Sequence, residues 1–124
     1  MERECKEFFK DKLLILDGAM GTELQKRGLK PGGVPELLNL TDPELLKGVY
    51  RDYAAAGSQV VYANTFGANG LKLARTGYSP SEVIEAAVSV AREAVSETGT
   101  LVALDVGPLG ELLEPMGSLP FEKA

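Results

Sequence analysis

Four consecutive large aliphatic residues, Leu13-Leu14-Ile15-Leu16, end abruptly in Asp17-Gly18-Ala19-Met20-Gly21-Thr22. An apolar run without polar alternation suits a strand covered on both faces, as in a parallel sheet enclosed by helices. The sequence therefore predicts a strand over residues 13–16 with Asp17 at its C-terminal end. Gly18 and Gly21 permit a tight turn and close approach of a ligand to the backbone, and Thr22 is placed to cap a short helix over residues 23–27. The same pattern returns twice, as Gln59-Val60-Val61-Tyr62-Ala63-Asn64-Thr65-Phe66-Gly67 and as Leu101-Val102-Ala103-Leu104-Asp105-Val106-Gly107-Pro108-Leu109-Gly110. Three strands would thus deliver polar groups and glycines to one rim, the end of an α/β sheet where ligands bind.

Helical patterns separate these runs. Residues 28–35 hold Gly28, Pro31, Gly32, Gly33 and Pro35 and read as loop. Asn39-Leu40-Thr41-Asp42-Pro43-Glu44 then announces a helix, with Thr41 or Asp42 at the cap, Pro43 in the first turn and Glu44 spaced for a capping box with Thr41. Leu46, Val49, Tyr50 and Tyr53 give it one apolar stripe up to about Ala56, and Gly57 stops it. Ser79-Pro80-Ser81-Glu82 is a stronger start signal, followed by a stripe of Val83, Ile84, Ala87, Val88, Ala91, Ala94 and Val95, with Gly99 as the terminator. Residues 70–75 read as a short helical turn, residues 107–117 as a long rim loop, and Phe121-Glu122-Lys123-Ala124 as the start of another helix. Strand starts 42 to 46 residues apart (at Leu13, Gln59 and Leu101) mark successive βα units, and right-handed crossovers make the strands parallel.

With 124 residues the chain suffices for one domain but not for a complete eight-unit barrel of about 250 residues. Residues 1–124 are accordingly read as the first three βα units of a (β/α)8 TIM barrel, truncated, with helices outside the parallel strands. A cut of this kind leaves strand edges open, together with the barrel-facing sides of Val60, Val61, Val102 and Ala103, so self-association is expected. A formal charge of −5, with 13 scattered Lys and Arg, excludes the basic stripe that nucleic acid or an anionic membrane surface would require. No apolar run approaches the roughly 20 residues of a membrane span, and the first residues lack a signal peptide's apolar segment, so a cytoplasmic setting is expected. One cysteine and no histidine leave the chain unable to assemble a thiolate or imidazole zinc site alone, and exclude Ser-His and Cys-His nucleophilic catalysis. That cysteine, Cys5, falls in a charged helix-like segment over residues 2–12, where Phe8 and Phe9 are expected to pack against the domain.

A strand-end carboxylate beside glycine amides suits a ligand that carries both an ammonium and a carboxylate. Asp17 would hold the ammonium, and the Gly18 and Ala19 amides or the Thr65 hydroxyl the carboxylate. The competing reading is that Asp-Gly and Asn-Thr after a strand are merely turns with self-bonded side chains.

Leu16-Asp17-Gly18-Ala19-Met20-Gly21-Thr22-Glu23-Leu24 resembles the opening signature of homocysteine S-methyltransferase domains, especially that of cobalamin-dependent methionine synthase. Asn39-Leu40-Thr41 followed by Pro43, then Asn64-Thr65-Phe66-Gly67-Ala68-Asn69, then Asp105-Val106-Gly107-Pro108 followed by Gly110, match that family in the same order. The resemblance covers residues 13–121. It implies a (β/α)8 barrel that methylates homocysteine to methionine, with zinc ionising the thiol for attack on a methyl group carried by cobalamin. Carried over, Asp17 would lie near the substrate amine, Gly18, Ala19, Met20, Asn64, Thr65 and Phe66 would line the amino-acid pocket, and Asp105 would form the neighbouring rim. The implied partners are homocysteine, the remainder of the barrel, and the cobalamin and folate domains of such an enzyme. The family's zinc thiolates come from later strands, so zinc and cobalamin are expected in the parent domain and none in these residues. Leu109 stands where relatives often carry Thr. Two other classes fit less of the sequence: a small α/β phosphate- or nucleotide-binding module, although the run is neither G-x-G-x-x-G nor a P-loop, and a non-catalytic partial-barrel scaffold.

Overall fold

A computed structural model describes residues 6, 7, 9, 10 and 12–124. Cys5 and Phe8 lie outside the described residues, and Phe9 keeps 46% of its surface exposed, so the packing expected of it is incomplete. The elements run α1 (Met20–Lys26), a 3-10 turn (Pro35–Leu37), α2 (Leu38–Thr41), α3 (Pro43–Ala55), β1 (Val60–Tyr62), α4 (Gly70–Leu73), α5 (Pro80–Ala94), β2 (Leu101–Ala103) and a final 3-10 turn (Phe121–Lys123). The result is an α/β arrangement in which β1 and β2 pair in parallel, Val60 opposite Leu101, Val61 opposite Val102 and Tyr62 opposite Ala103. Among the described residues no helix is long and apolar enough to cross a membrane.

The expected first strand is reduced to a parallel bridge between Leu16 and Val60, supported by the Gln59 amide donating to the Ile15 carbonyl at 2.7 Å and the Asp17 amide to the Val60 carbonyl at 3.0 Å. Burial on both faces is not observed there either: Leu13 is 88% and Ile15 55% exposed. A strand buried on two faces needs a layer on each, and only the helix side is furnished by the described residues. The expectation for β1 is corrected in the other direction. Val60 and Val61 are buried, because β1 is the middle strand, flanked by residue 16 on one edge and β2 on the other.

Helices α3 and α5 cover one side of the sheet. Leu46, Val49 and Tyr50 of α3 meet Val90, Ala91 and Ala94 of α5 and Val61 of β1 in one buried cluster, with Leu24 of α1 and Val95 joining it. The α3 stripe is the one expected from 3.6-residue spacing, and the α5 stripe is the expected one with Val90 added and with Ile84 and Val88 only partly buried. Helix α5 starts in the capping box anticipated for Ser79 and Glu82: the Glu82 amide donates to Ser79 Oγ at 3.3 Å and the Ser79 amide to Glu82 Oε2 at 2.9 Å. At α3 the expected box is absent. Asp42 caps the helix by accepting from the Leu45 amide, whereas Thr41 already belongs to α2 and donates back to the Leu37 carbonyl. Glu44 instead pairs with Lys47 at 2.8 Å. Helix α1 begins three residues earlier than expected, and Ala19 rather than Thr22 precedes it.

Candidate functional site

Helix α3 shapes the first rim turn. Tyr53, the last member of its apolar stripe, donates its hydroxyl to the Ala19 carbonyl at 2.9 Å. A Cβ on residue 18 would stand 3.0 Å from that hydroxyl, so a side chain there would press the tyrosine back by a few tenths of an ångström. Arg27 at the end of α1 bonds Glu23 at 2.8 Å and also reaches Asp52 of α3, tying the helix after the turn to the same support.

Asp17 is held by its neighbour strand, since Oδ2 accepts from the Tyr62 amide at 3.1 Å. Its other oxygen, Oδ1, is buried without a hydrogen-bond partner. Burial raises the Asp17 pKa above its ordinary value, the Tyr62 and Asp17 backbone amides oppose this, and the charge of Asp105 adds a smaller upward push. Behind it the hydroxyl of Tyr50 is fully buried. Burial first, then the charge of Asp17, pushes its pKa up, and the Asn64 backbone lies close enough to oppose the shift without reaching hydrogen-bonding geometry. An orphaned carboxylate oxygen at a strand end is a place where a cationic donor is worth more than in water.

Thr65 joins the ends of β1 and β2. Its hydroxyl donates to the Asp105 carbonyl at 2.7 Å and accepts from the Asp105 amide at 3.1 Å, so it is engaged structurally rather than free for a ligand. Asn64 is likewise committed: its Nδ2 donates to the Pro35 carbonyl at 2.8 Å and to Asn39 Oδ1 at 3.3 Å. Phe66 is 52% exposed, with the Lys72 ammonium 5.1 Å from its ring centre.

One cavity of about 410 Å³ brings together all eight residues singled out by the sequence: Asp17, Gly18, Ala19, Met20, Asn64, Thr65, Phe66 and Asp105. Its remaining wall is Gly21, Pro35, Glu36, Tyr62 and Ala63. Glu36 was missed in the sequence, and Asn39 was noted there only in the Asn39-Leu40-Thr41 match and the helix start, with no place at the pocket. Glu36 follows a stretch of loop-forming residues and carries no motif of its own, and the burial of the two, to 7% and 3% exposure, arises only once that loop folds over the end of β1. Among the described residues no group of three His, Cys, Asp or Glu could hold a metal ion.

Residues 14–124 match the family model for homocysteine S-methyltransferase. The chain belongs to the homocysteine S-methyltransferase family. Its relatives include homocysteine S-methyltransferase YbgG of Bacillus subtilis, 33% identical over 117 residues, covering 82% of this chain and 37% of that protein. Methionine synthase of Mycobacterium tuberculosis is 37% identical over 76 residues, 55% of this chain and 6% of that one. Among solved structures, the metallated form of the homocysteine methyltransferase MmuM from Escherichia coli superposes with a TM-score of 0.72 at 32% identity, covering 84% of this chain and 41% of its own. The chain thus spans about two fifths, or less, of these homocysteine S-methyltransferase relatives.

Proposed function

We propose that this chain forms the amino-acid-binding part of a homocysteine S-methyltransferase, built as the first βα units of a (β/α)8 barrel, and that the cavity at the strand ends takes homocysteine. The observation that carries the reading is the buried, partnerless Oδ1 of Asp17 in a cavity that also exposes the Gly18 to Met20 turn. Rotation of the Asp17 carboxyl on binding would bring that oxygen to an ammonium in the cavity, and the backbone of the turn would receive the substrate carboxylate. In this reading Asn64 and Thr65 shape the pocket rather than react, because the Asn64 amide and the Thr65 hydroxyl are used in holding the rim together, and Asp105 contributes its backbone to the same bonds.

Zinc, which the family resemblance implies for thiol activation, does not fit the described residues. Their oxygen-rich donor set suits harder cations than a thiol-activating zinc site requires. Methyl transfer belongs to the complete enzyme, and this chain's part is to bind and orient the amino-acid end of the substrate. The chain is also proposed to associate with further copies through its open sheet edges, where Leu13 and Ile15 on one edge and Leu104 on the other are at least half exposed.

Calorimetric titration with L-homocysteine tests the binding role against 4-mercaptobutyrate, the same molecule without its amino group, and against a nucleotide. Homocysteine is expected to bind at least about tenfold more tightly than the deaminated analogue. Equal binding of the two, or preference for the nucleotide, would refute it.

A further inference from the structure

Glu36 is a carboxyl-bearing side chain only 7% exposed, in a segment that the family reading gives no role. Buried acids are tolerated where a donor meets them. Here the donor is the backbone: the Gly67 amide donates to Glu36 Oε1 at 2.6 Å. The glycine is required by space and not by backbone conformation, since Gly67 is not among the residues with positive φ. A Cβ at this position would stand 2.7 Å from Oε1, 2.9 Å from Cδ and 3.1 Å from Oε2 of Glu36.

The bond is one half of a two-point grip. Three residues earlier Asn64 is held by the same segment, with Asn64 Nδ2 donating to the Pro35 carbonyl at 2.8 Å and Asn39 Nδ2 donating to the Asn64 carbonyl at 2.8 Å. Between the two grips lie Thr65 and Phe66, and both face the 410 Å³ cavity that Pro35 and Glu36 themselves help to wall. Thr65 is also tied to Asp105 through its hydroxyl, so the end of this stretch that depends on Glu36 is Phe66, half exposed with the Lys72 ammonium 5.1 Å from its ring.

We propose that Glu36 is the positioning residue of this rim: its carboxyl oxygen captures the Gly67 amide, holds Thr65 and Phe66 against the cavity, and so sets affinity for the amino-acid ligand. The affinity half of this statement rests on the proposed function. The capture itself does not.

Three variants of the 124-residue chain separate the possibilities, each studied below its own unfolding temperature. Glu36→Ala removes the acceptor, Glu36→Gln keeps an acceptor oxygen of the same reach, and Gly67→Ala leaves Glu36 intact but drives the two apart. Amide hydrogen exchange at Gly67 and calorimetric titration with L-homocysteine are the readouts. Glu36→Ala and Gly67→Ala are each expected to lose about tenfold or more in Gly67 protection and in homocysteine affinity, while Glu36→Gln stays within about threefold of the parent in both. A role in stability alone would lower the unfolding temperature and leave the affinity of the folded chain unchanged, and that result overturns the proposal. Retention of Gly67 protection in Glu36→Ala overturns it as well, as does a Glu36→Gln variant no better than Glu36→Ala. If the parent chain binds no homocysteine, the functional reading fails, and the exchange measurement alone decides whether Glu36 holds the rim.

Discussion

Replacement of Asp17 by Asn separates a ligand carboxylate from a turn-forming one. The Tyr62 amide that bonds Oδ2 at 3.1 Å can be accepted equally by the carboxamide oxygen, so the local backbone loses little. What changes is the other position, where the buried, partnerless oxygen becomes an amide nitrogen carrying protons. An incoming ammonium then meets a donor where it had an anionic acceptor. A hydrogen bond involving a charged group contributes about 1.5–3 kcal/mol, so homocysteine affinity should fall about ten- to a hundredfold. Stability should move by less than about 1 kcal/mol. Its pH dependence should also change. Burial lifts the folded-state pKa of Asp17 above 3.8, so the folded chain holds that proton more tightly than the unfolded one. The contribution of Asp17 to stability is therefore fullest below the unfolded pKa and is lost as pH rises through the folded value. Asp17→Asn should flatten that decline. Titration calorimetry and thermal unfolding across pH 3 to 7 measure both effects. A large loss of stability at neutral pH with unchanged homocysteine affinity would assign Asp17 to the turn and refute the argument.

Gly107→Ala should destabilise the rim by about 1–3 kcal/mol, since its Cβ would lie 2.2 Å from the Phe66 carbonyl oxygen, while Gly21→Ala, with open space around it, should cost nothing measurable in chemical denaturation. Leu46→Ala, in the fully buried cluster between α3 and α5, should lower unfolding free energy by about 2–5 kcal/mol in the same assay. Ser79→Ala breaks the capping box of α5 and should cost about 1 kcal/mol, read as a lower thermal midpoint. Sedimentation velocity at micromolar concentration should show oligomers formed through the exposed segment around Leu13 and Ile15, and charged substitutions there should return the chain to monomer; a compact monomer of the parent chain would refute the association.

Much of this molecule is written in local patterns. The Ser79 box and the stripes of α3 and α5 depend on residues within a few positions of one another, where spacing alone decides which side chains share a face, while the parallel order of the strands follows from the helical crossover between them. The eight rim residues could be grouped for the same reason, because each follows an apolar run and strand ends converge in a parallel sheet. Spacing could not separate Thr41 from Asp42 as the cap of α3, because a preceding helical turn absorbs Thr41. Nor could it show that the first apolar run pairs only near its end, since four aliphatic residues read alike whether or not a layer covers both faces. The contacts of Glu36 and Asn39 were not legible in the sequence, because their partners Gly67 and Asn64 are 31 and 25 residues away. Short-range periodicity and motifs in register were enough for the two long helices, the two paired strands, their order and the family, but not for the short turns at 35–41. Which polar groups at the rim are consumed in holding strand ends together, and that Asp17 Oδ1 is among those left without a partner, emerges only when the chain is folded, since hydrogen-bond satisfaction depends on donors brought from far away in the sequence.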